Sequence, residues 1–244
     1  MTESLHDLAS FTHRTTYAAA TGRDAWTVRR VGAWVSETVP RLTAIAAAGP
    51  VLDVGCAEQP FRPLIESSGR RYVGMDVVQN RARSVDIVTT LEDAPAPAVA
   101  YPLIICTEVL EHVADIDAAF AGLRRLATTG GLVAITVPFI FPLHMEPYDF
   151  RRLTLHGVER LAAAHRFAVV EQARLGSATD VLATLVADLS ILPASRSLVA
   201  RARVAVLRAL AAAAVRLLDS PALLRGVAVN SNTYATSAVV LRAA

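Results

Sequence analysis

The sequence predicts an open α/β fold in which a mainly parallel, seven-stranded sheet is covered by helices on both faces, with an amino-terminal helical cap and a helical insertion before the last strand. Three observations predict it. Short apolar runs (VLDVG, RYVGMDV, SVDIV, PLIICT, LVAITVPF and FAVVEQA) alternate with helical patterns, which is the rhythm of βαβ units. After Gln172 that rhythm breaks for roughly fifty residues rich in Ala, Leu, Val and Arg, before a final strand-like run, TYATSAVVLRA. The 244 residues are enough for one large domain with a substantial core.

Taken in order, residues 1–50 are expected as the helical cap. Trp26, Val31, Trp34, Val35 and Val39 are spaced for an apolar face, and Ala-Gly-Pro ends the segment before Val51. Residues 51–175 are expected to form the core, 176–230 the insertion, and 231–244 the strand that completes the sheet. The most apolar part of the insertion, Leu198 to Leu218, is interrupted by Arg201, Arg203, Arg208 and Arg216. A spanning helix needs about twenty residues with few or no charges, so a transmembrane span is rejected. Arg201, Arg208 and Arg216 share one side of a helix, which permits peripheral membrane contact by residues 196–218, but Arg203 lies opposite. A helix packed on its own domain is the favoured expectation.

Formal charge is +2, and all 24 basic residues are arginines spread over both halves, so nucleic-acid binding is not demanded. Cys56 and Cys106 lie far apart in apolar contexts, without the spacing of a disulfide framework or a zinc knuckle. The leading MTESLHDLAS lacks a basic region running into an apolar one. A cytoplasmic protein is the expectation.

VLDVGCAEQPFRPLI has the form of a strand, a tight turn and a helix, and such turns at the carboxyl ends of strands are where open α/β sheets bind ligands. Gly55 allows close backbone approach, Asp53 can order the turn, and the following helix offers free N–H groups. About two dozen residues on, Asp76 ends the second strand, where a carboxylate can accept both hydroxyls of a ribose. Together they point to an adenosine-containing ligand. A dinucleotide would ask for G-x-G-x-x-G, and Gly55-Cys56-Ala57-Glu58-Gln59-Pro60 lacks two of those glycines.

VLDVGCAEQPFR, YVGMD, IICTEVLEHV and GGLVAITVPF together resemble the successive motifs of class I S-adenosylmethionine-dependent methyltransferases of the type 11 kind, which have a Rossmann-like fold. The resemblance covers Val51 to about Glu171. It is nearest to a group with Gln-Pro-aromatic-Arg after the first motif, here Gln59 to Arg62, and with LHMEPYDFRR after the fifth strand; that group is associated with sugar and natural-product pathways. The resemblance implies S-adenosylmethionine as cofactor. It places Asp53, Gly55 and Ala57 around the methionine portion, Asp76 on the ribose, Leu91 near the adenine and Thr107 beside the sulfonium, with Cys56 and Val77 as further cofactor-binding residues. Ala57 replaces the usual glycine, and Tyr101-Pro102 replaces the usual Phe-Asp before the fourth strand.

Methyl transfer is an in-line displacement that depends on alignment, and a hydroxyl acceptor must also lose its proton. His112 and His144 follow the fourth and fifth strands and are the candidate catalytic bases; His6, His13, His156 and His165 lie elsewhere. Glu108, Glu111 and His112 stand at i, i+3 and i+4, one face of a helix if a helix begins there. With His144 they form a candidate site for a divalent metal, Mg²⁺ or Mn²⁺ by the carboxylates, iron or zinc by the imidazoles. The arrangement resembles metal-assisted O-methyltransferases of ubiquinone synthesis and of small-RNA 3′ ends. The metal-free base is favoured at this point, since Glu-Val-Leu-Glu-His also occurs where it only orders a helix. Glu146, Asp149, Arg151 and Arg152 stand as candidate acceptor-pocket residues.

The expected activity is therefore O-methylation of a small hydroxylated acceptor, a sugar or natural-product intermediate. The alternatives are an RNA ribose 2′-O-methyltransferase, for which the insertion's arginines would have to bind phosphates, and a non-catalytic methyltransferase-like subunit that binds a partner.

Overall fold

The structure is a computed structural model, and it describes residues 25–189, 197–218, 220 and 232–244. His6, His13 and the start of the expected cap lie outside the described residues. Helix α1 (Ala25–Ile45) buries Val31, Val35, Val39 and Leu42, spaced three or four apart, along one stripe. Trp26 and Trp34 sit at its margin, half-buried rather than in the core.

The strands are β1 (Val51–Val54), β2 (Tyr72–Asp76), β3 (Ile87–Val88), β4 (Tyr101–Thr107), β5 (Ala127–Pro138), β6 (Phe167–Leu175) and β7 (Thr236–Ala243). They form one sheet in the order β3-β2-β1-β4-β5-β7-β6, with β7 antiparallel to both neighbours. The expected fold is the one found. SVDIV contributes only the two-residue β3, and Tyr101-Pro102 lies inside β4 rather than before it.

Alternation along the strands builds two cores, because successive side chains point to opposite faces. Leu52, Val54, Met75, Ile104, Cys106, Val133 and Ile135 face helices α3 (Ile116–Leu126) and α4 (Leu155–Ala164) through Phe120, Leu123 and Val158. Val51, Leu103, Ile105, Leu132 and Ala134 face α1 and the short α2 (Arg62–Ser67) through Val35, Val39 and Ile65. Each fully buried Val, Leu, Ile, Phe or Met among them stabilises the fold by about 1.5–3 kcal/mol.

Between β6 and β7 lie helices α5 (Ala178–Leu189) and α6 (Leu198–Leu218). Asp180, buried in α5, accepts from the Arg30 guanidinium at 3.1 Å and so ties the insertion to α1. Helix α6 packs against α5 with Val215 buried, while Val199, Val206, Leu210 and Leu217 on the opposite side are exposed. The expected packing of this helix on its own domain thus holds for one side only. Among the described residues no helix is long and apolar enough to cross a membrane.

Candidate active site

Val54 lies level with Met75 and Cys106 across the sheet, and Cys106 with Ile135, so the carboxyl ends of β1, β2, β4 and β5 share one edge. Gly55, Asp76 and Thr107 emerge there side by side. Gly55 has φ +69°, and a Cβ on it would stand 2.3 Å from Cγ2 of Val109, in the turn after β4. Only glycine permits that approach, which brings the β1 turn onto the β4 turn. The N–H groups of Gly55 and Cys56 both donate to the Met75 carbonyl, at 2.8 and 3.1 Å.

Ala57 adopts φ +45° and so keeps the left-handed backbone that a glycine would take there, at a cost of about 1–2 kcal/mol for its Cβ. Its N–H donates to Asp76 Oδ2 at 2.8 Å, and its carbonyl accepts from Asn80 at 3.1 Å, which offsets that cost. Asp76 also accepts from the Val78 N–H at 3.4 Å. Burial pushes its carboxyl up, while the Ala57, Val78 and Val77 N–H groups pull it back. The two oxygens are acceptors only, so the carboxylate suits the two hydroxyls of a diol.

Asp53 is 1 % exposed and accepts from the Tyr72 hydroxyl at 2.8 Å. Burial raises its carboxyl to about 7, against the Tyr72 hydrogen bond and with the nearby Asp76 charge adding to the rise. A carboxyl raised on folding gives its full stability below its unfolded value, and that stability is lost as pH rises through the folded one. Asp53→Asn should therefore remove a loss of up to about 4 kcal/mol between about pH 4 and about pH 7. Denaturant unfolding of both proteins across that range checks it, and parallel curves would sink the assignment.

Of the other residues expected at the cofactor, Cys56 is buried, with its thiol where a Cβ on Gly74 would meet it at 2.9 Å, so only its backbone can face a ligand. Val77 follows Asp76 half-buried, and Thr107 is buried at the end of β4. Leu91 is buried in the core, its carbonyl over Gly122 of α3. Gln59, at φ +58°, donates to the Ser84 carbonyl at 2.8 Å and accepts from the Ser84 hydroxyl and Arg62, both at 3.1 Å. It locks the β1 turn to the loop before β3, a role that the polar Gln79, Asn80 and Ser84 could have signalled.

The condition that would put Glu108, Glu111 and His112 on one helical face is not met, because no helix begins at Glu108. Glu108 takes φ +53°, which a helix cannot contain, and its N–H donates to Thr136 at 3.0 Å; α3 begins only at Ile116, where Asp115 caps the Ala118 N–H at 3.0 Å. Residues 108–112 form turns instead, held by the His112 N–H on the Val109 carbonyl at 2.9 Å and the Phe150 N–H on the Glu111 carbonyl at 2.8 Å.

Those turns bring Glu111 and His112 to His144 from the loop after β5. Glu111 Oε1 lies 3.6 Å from His112 Nε2 and 3.9 Å from His144 Nε2, and the two rings meet edge to face at 4.8 Å between centroids. His112 Nδ1 donates to the Tyr148 carbonyl at 2.6 Å. His144 Nδ1 lies 3.1 Å from Asp149 Oδ2 and 3.3 Å from the Pro142 carbonyl, and its backbone N–H donates to the same Asp149 oxygen at 2.9 Å. Arg152 grips Asp149 with both terminal nitrogens, at 2.5 and 2.7 Å.

Burial pushes Glu111 well above the carboxylate range and Glu108's charge adds to it, opposed by its own backbone N–H and Arg152. Burial lowers His112 to about 4, against the Tyr148 carbonyl. Burial also works against the charge on Asp149, yet Arg152 and the His144 N–H outweigh it and hold this carboxyl below its usual range. Arg151, expected in the acceptor pocket, instead donates to the carbonyls of Leu110, Val113 and Ala114 and fastens the β4 turn. His156 is exposed on α4, and His165 pairs with Asp117 at 2.9 Å, both outside the site.

A family described as a methyltransferase domain matches residues 26–173, more than half of the chain. No curated protein matches it in sequence. Among solved structures, the [4+2]-cyclase SpnF is similar at 14% identity with a TM-score of 0.59, over 98% of this chain and 94% of that one. A sarcosine dimethylglycine methyltransferase from Galdieria sulphuraria is similar at 15% identity and TM-score 0.57, over 97% of both chains. Geranyl diphosphate C-methyltransferase from Streptomyces coelicolor, solved with Mg²⁺, geranyl diphosphate and S-adenosyl-L-homocysteine, is similar at 12% identity and TM-score 0.56, over 98% of this chain and 97% of that one. At these identities the likeness is one of fold.

Proposed function

The chain belongs to the methyltransferase domain family and is an enzyme dependent on S-adenosylmethionine, and from that premise we propose that it methylates a hydroxyl oxygen of a small acceptor, a sugar or natural-product intermediate. The observation that supports oxygen as the acceptor atom is the Glu111–His112–His144 cluster, set beside the cofactor turn by the contact between Gly55 and Val109. An alcohol must give up its proton to become a nucleophile, and these are the groups placed to draw it off.

When bound, S-adenosylmethionine supplies an electrophilic methyl carbon on a sulfonium, and S-adenosylhomocysteine is left after transfer. Asp76 accepts the ribose hydroxyls, the Gly55–Ala57 turn lies along the methionine portion with Asp53 ordering it from below, and Thr107 flanks the reacting centre. Leu91 marks the adenine side through its loop. Glu111, His112 and His144 face the acceptor: its oxygen forms the new O–C bond as the C–S bond breaks, and its proton leaves toward the cluster. The two buried free cysteines support a reducing, cytoplasmic setting.

Incubating the protein with S-adenosylmethionine and a panel of phenols, sugars and polyketide alcohols tests this reading. S-adenosylhomocysteine should form only with an acceptor, and the product should carry one new methyl on oxygen by NMR. Methyl groups found only on nitrogen or carbon across a panel that includes amines and activated carbons would overturn the choice of atom.

A further inference from the structure

We propose that Glu111, His112 and His144 bind one divalent transition-metal ion. Their ligand atoms lie within 4.8 Å of one another, and Glu108, the fourth residue expected from sequence, is not part of that cluster. Glu111 carries the argument. It is 0 % exposed, and neither carboxylate oxygen accepts a hydrogen bond from another described residue. A buried polar group without partners costs about 1–3 kcal/mol, and more when charged, so its retention at this place calls for a ligand.

The separations say which kind. At 3.6 and 3.9 Å from Glu111 Oε1, the two Nε2 atoms are too distant to hydrogen-bond with it. Two ligands each about 2.1 Å from a shared tetrahedral ion stand about 3.4 Å apart, so small side-chain movements complete the site. A glutamic acid buried in its protonated form would instead place its O–H within about 3 Å of one imidazole nitrogen.

The rings are also set in the tautomer that a metal needs. The Tyr148 and Pro142 carbonyls and the Asp149 carboxylate can only accept, so the Nδ1 atom of each ring carries the hydrogen, and Nε2, at 3.6 and 3.9 Å from Glu111 Oε1, is the nitrogen of each ring that can ligate. Asp149, itself held by Arg152, orients His144 as carboxylates orient metal-bound histidines. Two imidazoles and one carboxylate suit Zn²⁺, Fe²⁺ or Mn²⁺ better than Mg²⁺ or Ca²⁺, which favour oxygen ligands throughout. With an ion bound the imidazoles would act as ligands, whereas the sequence favours a metal-free base. The ion's bearing on an acceptor oxygen rests on the O-methylation reading above, whereas its binding does not.

The test uses the full chain, stripped with chelator and dialysed, then titrated with Zn²⁺ and Mn²⁺ by calorimetry and, for Mn²⁺, by electron paramagnetic resonance. One ion per chain is expected, with Mg²⁺ much weaker. Glu111→Gln, which keeps the side-chain volume, and the half-buried His144→Ala should each weaken binding by roughly 10²-fold or more. Both variants should still bind S-adenosylhomocysteine as the parent does, which shows that they are folded. Absence of saturable binding in the parent, or binding that neither substitution changes, overturns the metal site even when S-adenosylhomocysteine binds normally. Loss of S-adenosylhomocysteine binding by the parent, with stoichiometric metal binding intact, counts against the cofactor reading and leaves the metal site standing.

Discussion

Asp76→Ala should weaken S-adenosylhomocysteine binding by roughly 10²-fold, which corresponds to about 3 kcal/mol of lost charge-assisted hydrogen bonding. The effect has two sources that act together. The carboxylate is the acceptor offered to the ribose hydroxyls at the end of β2, and its Oδ2 also takes the Ala57 N–H at 2.8 Å, which holds the strained left-handed Ala57 in place. Removing it takes away the ribose partner and lets the cofactor turn relax toward ordinary backbone angles. Asp76→Asn keeps one acceptor oxygen and should fall between the two. Calorimetry on the three proteins decides the matter, and an Asp76→Ala affinity within about threefold of the parent would remove Asp76 from the ribose site.

How much of this was legible in the sequence depended on whether a feature is local. The strands were legible because each is a short apolar run with a breaker at its end, and Gly55 and Asp76 were legible because strand ends are where such a sheet binds. The left-handed Glu108 was not. Nothing in E-V-L-E-H distinguishes a turn from a first helical turn; the only warning was Asp115, a good cap four residues beyond Glu111. The pairing of His112 with His144 could be inferred from their places after adjacent strands. That their Nδ1 atoms are held by Tyr148 and Asp149 could not, since it depends on how the loop after β5 folds back across the β4 turn. For the same reason the sequence could not show that Asp149 and Arg152 pair with each other, or that Asp149, Arg151 and Arg152 also bond to His144 and to backbone carbonyls. The exposed apolar stripe of α6 was obscured by composition: where Ala, Leu and Val dominate every position, periodicity no longer distinguishes the packed side from the free one.

Gly122→Ala should destabilise the fold by about 2 kcal/mol or more, lowering the melting temperature by roughly 4–8 °C. Helix propensity argues the other way, since alanine in a helix is favoured over glycine by about 1 kcal/mol. Sterics decide. A Cβ at Gly122 would stand 2.1 Å from the carbonyl oxygen of Leu91 and 3.2 Å from its carbonyl carbon, and a backbone group cannot swing aside as a side chain does. Either α3 shifts and carries its own Phe120 and Leu123 out of place in the core, or the Leu91 segment lifts. That segment begins just beyond Thr89, whose N–H donates to the Asp76 carbonyl at 2.9 Å, so its displacement should also reduce affinity for S-adenosylhomocysteine. Gly157→Ala in α4 is the control: its Cβ would meet only ordinary contacts, at 3.5 Å to Thr154 and 3.6 Å to Leu153, and propensity should then prevail. Thermal unfolding with and without S-adenosylhomocysteine should show Gly122→Ala less stable and less responsive to ligand, and Gly157→Ala unchanged or slightly more stable. If the two substitutions shift the melting temperature alike, the close packing of Leu91 on α3, and with it the placing of that loop at the adenine, is wrong.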